Sequence, residues 1–468
     1  MVTAPASSLP PWLRWLLFAL IMGGMVSAYV KLARQSIYEG TKIPLTALEV
    51  RHLALTRETW KDLQLDFSES FSEPLKKLAP HRTDGLAQPL WPWVAAWMLH
   101  EDDLSASLQV TAWFRVGLTL SCILVLGMVC MRHFALPAAL MSVTLVGFHG
   151  LLGTISVFTG ATLFHLFFLL TWLACLYALQ RNSLWVYGLV GGFAALAYLA
   201  EDRILPLLAI FILISTLRAL WGWLAAQWHR GKEGTTLWVR RNHVFGLLLL
   251  AASFSFIAGP RLSEAYLQFG NATFQYADQV RWLDSSLEAE SWIQNHPDKT
   301  SLDQVPTLEK LTAQSYFQSH TREAIQTRLL NGMRTTLLAL KGHGGEVLAV
   351  MLVLLIVLTL VGWCATPAAC HPGERLHPET TTTVLFLVLA TLAYLVTASW
   401  DSAVMRVDHL QALTGPVGLS LLWGYTSVLR RARKRGANWF LSRGYQAVLW
   451  LMLGMTWFQF WKSAAAML

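Results

Sequence analysis

The chain has 468 residues, of which 54% are hydrophobic and 14% charged, with a formal net charge of +8. Soluble domains carry about 25% charged residues, so an ordinary soluble protein is excluded. The basic excess gathers at the ends of apolar segments and not along one polar face, which argues against a nucleic-acid-binding role.

A membrane-spanning helix needs about 20 mainly apolar residues. Segments of that kind recur about eleven times, with cores near 12–30, 109–131, 134–153, 156–180, 184–200, 204–224, 244–260, 346–363, 382–399, 410–428 and 445–461. The composition therefore predicts an all-α, polytopic transmembrane helical bundle. Its parts are a first transmembrane helix (1–30), a long polar loop (31–108), six spans (109–260), a second polar loop (261–345) and a last group of four spans (346–468). The first apolar run has Arg14 near its start and no small-residue cleavage site after it, so it reads as a retained signal anchor.

Basic clusters at Arg230–Lys232–Arg240–Arg241 and at Arg430–Arg431–Arg433–Lys434–Arg435–Arg443 fall on one side of such a bundle, together with Arg132, Arg181 and Arg375. Both long polar loops fall on the other. By the positive-inside rule the N-terminus is then cytoplasmic and the loops lie on the outer, periplasmic face of a cell (inner) membrane.

The first loop is dense in titratable groups. LEVRHLALTR brings together Glu49, Arg51 and His52; QPLWPW follows at 88–93, and Glu101-Asp102-Asp103 precede the second span. ALEVRHLALTRETWKDLQ and FSEPLKKL have apolar residues at helical spacing, as expected of interfacial helices lying along the membrane surface. LWPWVAAWML reads as a further short helix with its Trp residues at headgroup level. The acidic triplet reads as a solvated helix start, with a divalent metal the less favoured role.

Farther on, Glu201-Asp202-Arg203 stands at a tight turn between two spans, where charge is costly unless paired or solvated. Either Arg203 pairs with a neighbouring carboxylate or it lines a cavity and meets an anion. In the second loop SLEAESWIQNHP and SYFQSHTREAIQTRLLNGMRTTLLALKG look amphipathic and helical. Cys364, Cys370, His371 and His377 have a C-x5-C spacing wider than zinc sites generally use, so they read as a connecting loop. Asp401, Arg406 and His409 mark one more junction on the loop side.

The order of these parts resembles the GT-C superfamily of integral-membrane glycosyltransferases, which includes protein O-mannosyltransferases and the aminoarabinose transferases of lipid A. Glu49 matches the acidic position of the first loop, QPLWPW a "pLyP"-like segment, and Arg115 in WFRVGLTLSCIL the arginine that opens the second span. AALAYLAEDRILPLLAIFIL places Arg203 at the family's basic position, and MRVDHLQALTGPVGL aligns Arg406 and Pro416 with its late motif. The chain departs in having Glu for Asp at 49, Val407 for an aromatic, and no charge in ISVFTGATLF.

The resemblance implies transfer of a sugar from a polyprenyl-phosphate donor to an acceptor (glycan, lipid or protein) at the outer face of the bilayer. A nucleophile needs a carboxylate to take its proton, and Glu49 is the expected catalytic base. The leaving phosphate needs cations in a low-dielectric site; Arg203 and Arg406, backed by Arg51, His52 and His409, are the expected donor-phosphate residues. No cofactor or metal is required by this reading. The alternatives are a non-catalytic GT-C-like subunit that scaffolds a complex, and a transporter of lipid-linked intermediates.

Overall fold

A computed structural model describes residues 10–40, 49, 52–57, 59, 88–98, 104–155, 157–181, 183–228, 234–274, 280–296, 311–340, 353, 356–357, 378–401, 409–434 and 439–465. Among these residues the regular structure is helical, with no strand. Seven helical stretches are long and apolar enough to cross a membrane: Pro11–Tyr38, Ser105–His133, Leu136–Thr154, Ala161–Arg181, Asp202–Trp221, His243–Phe269 and Thr382–Asp401. The chain is a multi-pass, all-α membrane protein.

The helices are α1 (Pro11–Gly40), α2 (Leu90–Ala96), α3 (Leu104–His133), α4 (Leu136–Val143), α5 (Ala161–Arg181), α6 (Leu184–Ala200) and α7 (Leu205–Trp228). They continue as α8 (Gly234–Phe269), α9 (Ser286–Asn295), α10 (Ala313–Ser319), α11 (Arg322–Leu340), α12 (Pro378–Asp401), α13 (His409–Lys434) and α14 (Trp439–Ala465). The apolar segments read at 410–428 and 445–461 lie within α13 and α14, while that at 346–363 falls largely outside the described residues.

Two apolar cores hold the bundle. One gathers Phe164, Phe168, Trp172, Tyr187 and Phe211 from α5, α6 and α7 with Phe386 and Tyr394 of α12. The other joins α1, α3 and α4 to α13 and α14 through residues such as Tyr29, Phe148, Leu422 and Leu449. Apolar side chains also face outward: Phe256 is 84% exposed, and Val125, Met128 and Leu248 are exposed too. A helix whose outer face meets hydrocarbon needs that composition.

Short turns make consecutive helices run up and down, so charges sort to two ends. At one end the Arg14 guanidinium donates to the carbonyls of Met131 and Phe134, satisfying acceptors at the end of α3. Arg218 likewise donates to the Leu179 carbonyl near the end of α5. Arg132, His133 and Arg181 complete a basic end. The opposite end, where α6 and α12 terminate and α5 and α7 begin, carries Glu201, Asp202 and Asp401 and receives both polar loops.

The first loop differs from the expected surface helices. Its described residues are helical at 49 and 52–57, but Glu49, His52, Leu53, Leu55 and Thr56 are buried. In α2, Trp91 is fully buried under an arginine, while Trp97, just past the end of the helix, is exposed. Both stretches pack into the loop end of the bundle, through Glu49 on the Phe158 N–H and Trp91 on Arg115 and Phe158. FSEPLKKL lies outside the described residues. The second loop is partly helical as expected, with α9, α10 and α11. The Ser285 hydroxyl caps α9 by accepting the Glu288 N–H at 3.3 Å, and Thr312 and Ser315 form a reciprocal capping box on α10.

Close approach of α6 to α8 depends on glycine. A Cβ at Gly191 would stand 2.1 Å from Ser253 Oγ and 2.3 Å from the Leu250 carbonyl oxygen, and the carbonyl belongs to backbone that cannot step aside. Gly259 on α8 has nothing within 4 Å. Gly191→Ala is expected to destabilise the protein by about 1–3 kcal/mol through forced separation of the two helices. Gly259→Ala should be neutral or slightly stabilising, since helix propensity favours Ala. Thermal unfolding of the two variants in detergent checks the contrast.

Candidate functional site at the loop end of the bundle

The third span is α-helical only as far as Val143. Over Thr144–Leu151 it opens into a π-helix, in which the Leu152 N–H reaches back to the Gly147 carbonyl, and it ends in a 3-10 turn at Leu152–Thr154. The wider π turn disturbs the i→i−4 ladder. His165 of α5 bonds through Nδ1 to the Gly150 carbonyl at 2.7 Å. Residues 157–160 then turn the chain before α5 begins.

That turn is held from two sides. Phe158 N–H donates to Glu49 Oε1 at 2.8 Å. Arg115 of α3, only 2% exposed, donates through Nη1 to the carbonyls of Thr154 (3.2 Å) and Val157, and through Nε to Thr111 at 3.3 Å. The guanidinium lies 5.0 Å from the centre of the Trp91 ring, and Trp91 packs edge-on against Phe158 at 5.6 Å. Glu49 is 7% exposed, and its charge acts on that of Arg115. A buried carboxylate and a buried guanidinium on the same turn offset each other's desolvation.

His52 follows Glu49 by one helical turn. Burial pushes its imidazole down to about 4, so at neutral pH the ring is uncharged and can offer a hydrogen bond but no positive charge. Among the described residues its Nδ1 has no hydrogen-bond partner, and neither have the Gln88 Oε1 and the indole nitrogens of Trp91 and Trp93. Buried polar atoms of this kind need water or a ligand, and here four of them come from the first loop.

The turn bearing Phe158 adjoins the one bearing Arg203. A Cβ at Gly160 would stand 2.6 Å from the Ala200 carbonyl oxygen, so the start of α5 lies directly against the end of α6. Arg203 pairs with Glu201 at 3.2 Å, and its carbonyl accepts the Tyr394 hydroxyl of α12. Glu49 thus bonds to a turn that neighbours the one bearing Arg203, at one end of the bundle. Arg51 and Arg406 lie outside the described residues, as do Glu101–Asp103 and the Cys364–His377 loop; of His409 only the backbone, opening α13, is described. Among the described residues no group of three or more His, Cys, Asp or Glu is placed to hold a metal ion.

Asp202 does not pair with Arg203. It meets Arg281 of the second loop at 3.2 Å, and Arg281 also reaches Asp401 at the end of α12, at 3.3 Å. The next layer is Arg328 of α11, which lies over the rings of Tyr316 (4.9 Å) and Trp400 (4.4 Å) and donates to the Arg281 carbonyl at 2.8 Å. Arg328 also reaches Asp284, which accepts from the Tyr316 hydroxyl at 2.9 Å and from His320 Nε2 at 3.0 Å. Sequence reasoning missed Arg281, Asp284, His320 and Arg328. The sole local signal is a charge flanked by apolar residues in VRWLD, which says nothing of its partner.

No protein-family model matches the chain, and neither a curated protein nor a solved structure does. The site therefore rests on its own geometry.

Two expectations follow. Arg115→Leu leaves the Glu49 carboxylate buried without its cation and should cost about 3–5 kcal/mol. Adding Glu49→Leu removes the uncompensated charge, and the double variant should regain part of that loss in denaturant unfolding in micelles. Burial pushes the Asp284 carboxyl up, but the hydrogen bonds from Tyr316 and His320 and the charges of His320 and Arg328 outweigh it and hold it below its ordinary value. A carboxylate lowered in the folded state contributes stability that is fully present above its ordinary value of about 4 and is lost as pH falls through the lowered one. Amide exchange in α9–α11 should accordingly rise below about pH 4, and less so in Asp284→Asn, which has already lost the titrating group.

Proposed function

We propose that this protein is a membrane glycosyltransferase of GT-C type, moving a sugar from a polyprenyl-phosphate donor to an acceptor at the outer face of the membrane. The observation that carries the reading is the meeting of Glu49, from the first loop, with the span-opening Arg115 beside the turn that holds Arg203. Four positions of a short, degenerate pattern are involved, counting the QPLWPW segment with Trp91, and packing sets them at one end of an apolar bundle. In this reading Glu49 is the base that takes the acceptor's proton, and Arg203 meets the donor phosphate after exchanging its pairing with Glu201. Arg51, Arg406 and His409 are the further phosphate-binding candidates, and neutral His52 supplies a hydrogen bond. The spans, about eleven in all, provide the groove for the isoprenoid tail, and the basic end faces the cytoplasm.

A second reading has a specific observation in its favour. Glu49 and Arg203 are both engaged within the protein, by Phe158 N–H and by Glu201, as they would be in a non-catalytic subunit that keeps the architecture to scaffold a complex. The two separate on Glu49→Gln, which keeps an acceptor for Phe158 N–H but abolishes the base. Sugar transfer to membrane acceptors should fall by about 10²–10⁴-fold in protein that still folds, though less stably because Arg115 keeps its charge without the carboxylate; unaltered transfer removes Glu49 from the chemistry. Mass spectrometry of lipid bound to the purified protein should find a polyprenyl phosphate that is lost in Arg203→Ala. Bulk phospholipid alone, in both proteins, favours the scaffold.

A further inference from the structure

The second loop carries a built depression that the transfer site does not use. Its volume is about 570 Å³, within the range of about 300–1,000 Å³ common for small-molecule pockets. Its walls come from the 280–285 segment, α9 and α10, and those walls are braced. Asp284 is tied to Tyr316, His320 and Arg328, Glu288 Oε2 accepts the Asp284 N–H at 3.1 Å, and Trp282 packs on Tyr316, Phe317 and Trp400 at 5.7–5.9 Å. Pockets whose polar groups are fixed by a second layer of bonds bind without first having to order themselves.

The lining has a definite chemistry. Trp282 offers a half-buried indole, while Asp284, Glu288, Gln318, Ser315 and His320 supply carboxylate, amide, hydroxyl and imidazole groups. Asp284 accepts three hydrogen bonds yet keeps a side chain 54% exposed, and a carboxylate has about four acceptor sites. Glu288 commits one oxygen to the Asp284 N–H. Gln318 is exposed and can donate and accept side by side. Arg328 lies behind the wall and directly contacts the Asp284 carboxylate, so the two acids do not add up to a strong negative field. Among the described residues the lining has no lysine or arginine for an anion to meet, and a cation would find one of the two carboxylates already matched. A neutral ligand with closely spaced hydroxyls and a flat C–H face fits: the acids and the amide take the hydroxyls, and the indole takes the C–H face.

We propose that this depression binds a saccharide. Its lining residue Trp282 directly follows Arg281 in the chain, and Arg281 bonds to Asp202 at the turn that carries Arg203. The bound saccharide is accordingly the sugar portion of the acceptor, an assignment that rests on the transferase reading, whereas the binding itself does not.

The test is saturation-transfer NMR on the full chain in nanodiscs, with methyl α-mannoside, methyl β-glucoside and diacetylchitobiose as probes. At least one should show saturation of its ring C–H protons at about 10 mM, with a millimolar Kd. Trp282→Ala should weaken that binding about tenfold. Gln318→Ala, at an exposed position, should weaken it about threefold while leaving the helical spectrum intact, and it serves as the test if Trp282→Ala does not fold. No transfer to any probe, binding indifferent to Gln318→Ala, or preference for a trilysine peptide over all three glycosides overturns the proposal. Glu49→Gln distinguishes the two readings: if it loses sugar transfer but still binds the glycoside, both stand. Glycoside binding in a protein without any transfer overturns only the transferase, and transfer without glycoside binding overturns only this subsite.

Discussion

A carboxylate and a guanidinium, both buried, close on one uncharged turn, and the loop end of the bundle depends on that contact. The stretch from Thr154 to Phe158 has no charged side chain. It contributes backbone instead: two carbonyls toward Arg115 and one N–H toward Glu49. In an apolar bundle such groups cannot be left to water, so the helix that ends at Thr154 needs partners from elsewhere in the chain. It takes them from the first loop and from α3. The same bonds keep Glu49 inside and bring Trp91 beneath the arginine.

The second loop meets the bundle by related physics. Arg281 joins the α6–α7 turn to the end of α12 through two carboxylates, and Arg328 fills the space between two aromatic rings while bonding the Arg281 carbonyl. Guanidinium is suited to this because its planar fork stacks and donates at once. The two helix ends that carry Glu201–Arg203 and Trp400–Asp401 are thereby tied to the second loop.

The pairing of Arg203 with Glu201 and of Asp202 with Arg281 divides three adjacent charges between two purposes. One pair is local, and each partner is about 20% exposed. The other ties distant segments and is part of the scaffold. Which charge serves which purpose is decided by the 3-10 turn at Asp202–Ile204, which sends neighbouring side chains to different neighbours.

Much of the scaffold is legible in the sequence, because a segment crossing hydrocarbon must be apolar for its whole length. Seven of the apolar spans and the helices within 286–295 and 313–340 can be read from composition and periodicity. The neighbours of those groups cannot. Arg281 meets Asp202 across 79 positions, Glu49 meets Phe158 across 109, and neither partner carries a local mark of the other. The short helix after Glu49 has the pattern of a surface helix, yet it is buried, since amphipathicity states that one face is apolar and not what covers the other. Sequence by itself determined which segments can enter a membrane and where charge is concentrated. Tertiary structure alone decided which charges are paired and which turn they hold, because those contacts depend on how the helix ends pack and not on their spacing along the chain.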